Sequence, residues 1–164
     1  MRSFKNLFLL LLILIPSTAY VAKDSLPEIG LTPGSTAPAI QIDKTGKELL
    51  SSMRGQYVLL QFWAAYDGQS RMTNLLMHNS ISKHYADRVQ MASFSFDAQK
   101  LIFNETLRTD GISTSNQYFV EEGANSEVFR TYSLANGYSN YLIDPNGVIV
   151  AKDLSPQKLD EILN

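Results

Sequence analysis

Cysteine is absent from the 164-residue chain. Every mechanism that needs a protein thiol is therefore excluded, and so are disulfides, which leaves packing as the source of stability. Histidine is scarce: only His78 and His84 occur. They are six residues apart and fall on different faces of one helix, not at the i, i+4 spacing that would share a metal. His78 also stands about 12 Å along the helix axis from Ser70, too far for a nucleophile and its base. A solvated helix surface is the favoured reading of both, so no catalytic residue, metal or cofactor is assigned. Basic residues are not in excess, with 14 Lys plus Arg against 16 Asp plus Glu, and nothing recommends nucleic acid as a partner. Long apolar runs are lacking too. The run Leu7 to Ile15, closed by Pro16, falls well short of the ~20 residues that span a bilayer.

What that run does suit is export. Arg2 and Lys5 supply a positive start, Leu7 to Ile15 the apolar stretch, and Ser17-Thr18-Ala19 a small-x-small cleavage site. Residues 1–19 are expected to be a signal peptide, and no stable membrane span is expected after cleavage. No cysteine follows to accept a lipid, so the expected location is periplasmic or secreted. Cleavage removes two positive charges and takes the formal net charge from −2 to −4. About 145 residues remain, the size of one domain. Residues 20–35, with Lys23, Asp24, Pro27, Gly30, Pro33 and Gly34, lack apolar periodicity and read as an N-terminal arm. Residues 36–164 form the expected domain.

Within it, Ala39 to Asp43 and Glu48 to Leu50 flank a Gly-containing turn and predict a hairpin. Tyr57 to Phe62 is nearly all apolar, the pattern of a central strand covered on both faces. From Gly68 to Tyr85, Met72, Leu75, Leu76, Met77, Ile81 and Tyr85 recur at spacings of three and four and predict an amphipathic helix. A strand is expected over Val89 to Phe96, a short helix over Gln99 to Leu107 ending near Gly111, a strand over Asn116 to Val120, and a helix over Asn125 to Tyr132. Tyr141 to Ile143 and Val148 to Val150 bracket Asn146-Gly147, a tight-turn pair joining antiparallel strands, and Ser155 caps a last helix starting at Pro156. Tyr85, Tyr118, Tyr132 and Tyr141 are expected at the core or its edge with hydroxyls at the surface. The order predicts an α/β fold, a central sheet with helices on both faces.

The segment Phe62-Trp63-Ala64-Ala65-Tyr66-Asp67-Gly68-Gln69-Ser70-Arg71 resembles the active-site stretch of TlpA-like thioredoxins, redoxins whose usual form is FWA-x-WC-x-x-CR. Gly34 to Pro38, Met53-Arg54-Gly55, Ser95-Phe96-Asp97 and Leu142 to Gly147 resemble further motifs of that family, in order, so the likeness covers roughly residues 34–163. It implies a thioredoxin-like central mixed β-sheet flanked by helices, with an N-terminal β-hairpin. The departures fall where the family does its chemistry. Asp67 stands at the position of the nucleophilic cysteine and Ser70 at that of the resolving one, and neither sulfur exists. Counting back from Leu142, the family's cis-proline position is held by Tyr138, where an ordinary trans bond and a reshaped groove are expected. Peroxiredoxin chemistry is excluded by the same missing thiol.

Asp67 has a structural role open to it, capping the helix through the N–H of Gln69 or Ser70. The alternative is that its carboxylate mimics a thiolate on a binding surface. Trp63, Tyr66 and Tyr138 can form an aromatic patch around it, or merely pack. The resulting expectation is a redox-inactive, non-catalytic module of the cell envelope whose old groove, with Trp63, Tyr66, Asp67, Gly68, Gln69, Ser70 and Tyr138, holds a protein or peptide partner. An enzyme with non-thiol chemistry at Asp67 is one alternative, and a purely structural or vestigial domain is another. A label such as oxidoreductase drawn from the fold alone would name chemistry that these side chains do not carry.

Overall fold

The computed structural model describes residues 27–41 and 48–164. The expected signal peptide and the turn of the expected first hairpin lie outside the described residues. Gln41 and Glu48 pair antiparallel where the hairpin is expected. Beyond that bridge the second arm is not a strand: Leu49–Ser52 is a helical turn (α1) that buries Leu49 and Leu50. Both leucines enter the same core cluster, which a helical turn allows, whereas adjacent strand residues would face opposite ways.

The remaining elements follow the expected order. They are β1 (Tyr57–Trp63), α2 (Gly68–His84), β2 (Val89–Ser95), α3 (Lys100–Asp110), β3 (Gln117–Phe119), α4 (Glu127–Thr131), β4 (Asn140–Ile143), β5 (Ile149–Lys152) and α5 (Pro156–Leu163). Short 3-10 turns at Gly123–Asn125 and Leu134–Asn136 flank α4. The expected helix over Asn125 to Tyr132 is therefore shorter, since Ser126 accepts from the Phe129 N–H and starts α4 there. α3 ends at Gly111, whose φ of 67° lies in the left-handed region that stops a helix at little cost for glycine.

The sheet order is β3-β2-β1-β4-β5. β1 pairs parallel with β2 and antiparallel with β4, and β2 pairs parallel with β3. This mixed sheet puts β1 at the centre, which explains why its sequence is apolar but for Gln61. On one face Val58, Leu60 and Phe62 pack with Phe94, Phe96, Tyr132 and Tyr141. Phe62 meets these four rings at centroid distances of 4.8 to 6.3 Å, each contact adding about 1 kcal/mol beyond area burial. On the other face Leu59 joins Met77 and Ile81 of α2 and Leu159 and Leu163 of α5. The arm closes the outer edge of β5, where Gly34 N–H donates to the Ile149 carbonyl at 2.8 Å and Ile149 N–H to the Ser35 carbonyl at 2.9 Å.

Two expectations about side chains are corrected. Tyr132 and Tyr141 do not reach the surface with their hydroxyls: both are buried, and Tyr132 donates to the Pro38 carbonyl at 2.7 Å. The inner stripe of α2 is Ser70, Asn74, Met77 and Ile81, while Met72 and Leu76 point outward at 54% and 47% exposure. The cause is the sheet beneath. Under the first half of α2 lie buried Gln61, Ser93 and Ser95, and Ser93 donates to Asn74 at 2.7 Å. Polar side chains that bond one another can occupy that contact, although the Asn74 Nδ2 there has no partner, so apolar spacing alone misplaced the helix face.

His78, also on α2, has its pKa lowered from the ordinary 6.5 by burial. The fold therefore favours the neutral imidazole, and below about pH 6.5 the unfolded chain takes up the proton first. Stability should fall as pH drops from about 7 towards 5. Thermal melts across that range are expected to flatten in His78→Gln; an unchanged slope would contradict the assignment.

Candidate functional site

The site lies at the carboxyl end of β1, where the chain turns into α2. Asp67 is the N-cap: its carboxylate accepts from the Ser70 N–H at 2.7 Å, and its carbonyl accepts from the Arg71 N–H at 3.0 Å. The free amide of the third helical residue is thus satisfied by a charge that also suits the helix dipole. Gly68 and Gln69 are exposed in the first turn. Ser70 is turned inward, donating to the Asp67 carbonyl at 3.2 Å and accepting from the Ala64 N–H at 3.3 Å. Four hydrogen bonds in this way tie the turn to itself.

Across from this turn stands Tyr138, in the loop before β4. Its hydroxyl lies 2.7 Å from that of Tyr66, the rings meeting at 61° with centroids 6.5 Å apart. Tyr138 also stacks on Phe96, at 5.8 Å and 21°. Burial, then the hydrogen bond to Tyr66, push the Tyr138 phenol well above its ordinary pKa. The phenol is therefore protonated across the physiological range and serves as a neutral hydrogen-bonding group. Among the described residues no peptide bond is cis.

Trp63 does not join this surface. It is 0% exposed and packs with Phe103, Leu107 and Ile112, beneath the turn, because odd-numbered β1 residues face α2 and α3. The aromatic patch consists of Tyr66 and Tyr138 alone.

A cavity of about 890 Å³ opens beside the turn. Gln69, Ser70, Thr73 and Leu76 form one wall, Tyr138, Ser139 and Asn140 another, and Lys152 to Gln157 the third. Its size lies within the range of ligand pockets. Of the residues singled out in the sequence, Gln69, Ser70 and Tyr138 line it. Tyr66, Asp67 and Gly68 precede Gln69 without lining it. Asn140 was not foreseen: buried, it donates to Gln61 at 3.2 Å and to the Leu154 carbonyl at 3.0 Å and accepts from the Leu154 N–H at 2.7 Å. That network fixes the cavity floor.

Asp97 was likewise missed as a site residue. Only 3% exposed, it accepts from the Ala65 N–H at 2.8 Å and from the Ser95 hydroxyl at 2.7 Å. It clamps the loop carrying Tyr66 and Asp67 to the end of β2. Its place in the Ser95-Phe96-Asp97 motif was the available signal. Arg71 is held by a two-point bond to Asp110, at 2.9 and 2.6 Å. Among the described residues no group of three or more His, Cys, Asp or Glu is placed to hold a metal.

Comparisons agree with this architecture. No family model matches. A thiol-disulfide oxidoreductase ResA from Oceanobacillus iheyensis is 24% identical over 140 residues, 80% of this chain and 71% of that one. The thioredoxin domain of a thiol-disulfide oxidoreductase from Bacteroides vulgatus superposes with a TM-score of 0.67 at 27% identity, covering 82% of this chain and all of that one. A thioredoxin-like protein from Parabacteroides distasonis is 40% identical over 82% of this chain and 96% of its own, with a TM-score of 0.72. With that identity over nearly the whole of a relative, and the mixed sheet, helix cap and loop geometry set out above, the chain belongs to the thioredoxin-like proteins, as a member without cysteine.

Proposed function

We propose that this chain is an exported binding module that holds an extended protein or peptide segment in the cavity beside Tyr138 and performs no thiol chemistry of its own. The observation that carries the reading is the cavity itself. It is lined by polar and apolar groups alike and walled by Gln69, Ser70 and Tyr138, in a chain with no cysteine. Exposed Leu76 on its rim offers apolar contact, and exposed Tyr66 and Met72 lie on the neighbouring loop and helix. Crevices at the carboxyl ends of strands are where open α/β sheets bind ligands. Export rests on the pattern of residues 1–19. Among the described residues no helix is long and apolar enough to cross a membrane.

The acid–base alternative at Asp67 is weakened by geometry, since one carboxylate oxygen is committed to the Ser70 N–H. The test is capture from an envelope extract of the producing cells, comparing the protein with an Asp67→Ala, Tyr138→Ala double variant shown to fold equally by circular dichroism. A partner retained by the former and lost by the latter is the expected result. Identical captured sets would overturn the groove reading.

A further inference from the structure

We propose that Tyr66 and Tyr138 form an oxidative modification site, a pair poised to join as an intramolecular dityrosine that bridges the β1–α2 loop and the loop before β4. Their hydroxyls are 2.7 Å apart and their ring centroids 6.5 Å apart, so the ortho carbons, the coupling positions of a phenoxyl radical, flank the shared hydrogen bond. One ring is held and the other is accessible: Tyr138 is stacked on Phe96, whereas Tyr66 is 73% exposed on a turn. An oxidant in solution reaches Tyr66, and rotation of that ring brings its ortho carbon against the fixed partner. Because Tyr66 is exposed, the proton released on its oxidation passes directly to solvent. In proteins with thiols a radical of this kind is diverted to sulfur, which oxidises readily. This chain has no cysteine to divert it.

The co-reactant is a one-electron oxidant, such as a haem peroxidase consuming hydrogen peroxide. Each phenol loses one electron and one proton. The two radicals form a carbon–carbon bond, and the ring hydrogens at the coupled carbons move to the oxygens as aromaticity returns. The sum is two tyrosines plus hydrogen peroxide giving one dityrosine and two waters. The link would close a loop between positions 66 and 138, constraining the unfolded chain as any long-range cross-link does. It depends on the tyrosine geometry alone and is independent of what the cavity binds.

A second pair provides an internal control. Tyr132 and Tyr141 have closer centroids, 5.4 Å, but both are buried and so shielded from the oxidant. The experiment treats the purified protein with peroxidase and hydrogen peroxide at low protein concentration, then reads dityrosine fluorescence in the monomer band, intact mass and peptide maps. Expected are a loss of two hydrogen masses, a cross-linked peptide joining Tyr66 to Tyr138, and a raised Tm. In Tyr66→Phe, and separately in Tyr138→Phe, monomer fluorescence should drop to background while the protein stays folded. Links found only between molecules, equal yield in the phenylalanine variants, or no link where free tyrosine couples in the same mixture would each overturn the proposal.

Discussion

Replacing Asp67 and Ser70 together by cysteine is expected to create a reversible disulfide and measurable disulfide reductase activity where the natural chain has neither. The geometry needed is already present. Asp67 sits at the N-cap with its side chain on the Ser70 N–H, at 2.7 Å, so a thiolate at position 67 would take the same donor. The helix N-terminus should lower its pKa from about 8.5 to about 7. Ser70 faces inward against the Asp67 backbone, at 3.2 Å, where a resolving sulfur has to lie. Oxidation in a glutathione buffer, followed by thiol titration and an insulin-reduction assay, reads the result. Two thiols that stay unpaired under oxidising conditions would contradict the assignment of these positions.

Asp97→Ala is expected to lower stability by roughly 3 kcal/mol, a drop in Tm of about 10 °C for a domain of this size. The carboxylate is the acceptor for the Ala65 N–H and the Ser95 hydroxyl, and alanine would leave both donors without a partner in a place water reaches poorly. Bonds to a charged acceptor contribute about 1.5–3 kcal/mol each, while relaxation of the loop recovers part of the loss. The effect should also be local, with faster amide exchange at Ala65 and in the turn carrying Tyr66. A loss below about 1 kcal/mol, with exchange unchanged, would show that Asp97 does not clamp the loop.

The sheet was legible because its strands differ sharply from their surroundings. Tyr57 to Trp63 has no room for a solvent face, and Asn146-Gly147 marks a turn, where Gly147 takes a φ of 85°. The cap at Asp67 was legible for a local reason, since residue type and position before a helix suffice. Tyr138 could be placed opposite by counting back from Leu142. What escaped depended on contacts distant in sequence. The bond from Ala65 to Asp97 spans 32 residues, and the outward turn of Met72 and Leu76 follows from Ser93 bonding Asn74 across the sheet. Apolar spacing gives a helix several candidate faces, and only the polar patch beneath selects one. Trp63 reads as a groove residue by its neighbours in sequence, yet strand alternation sends it to the core.

The most direct test of a partner-holding groove is site-specific photo-crosslinking in the envelope extract, with a photoreactive side chain placed first at Gln69 and then at Lys83. Both are exposed on α2, but only Gln69 lines the cavity. Adducts to a discrete partner from position 69 and not from position 83 are the expected result. Equal labelling from the two positions, or labelling from position 83 alone, would contradict a binding site in the groove.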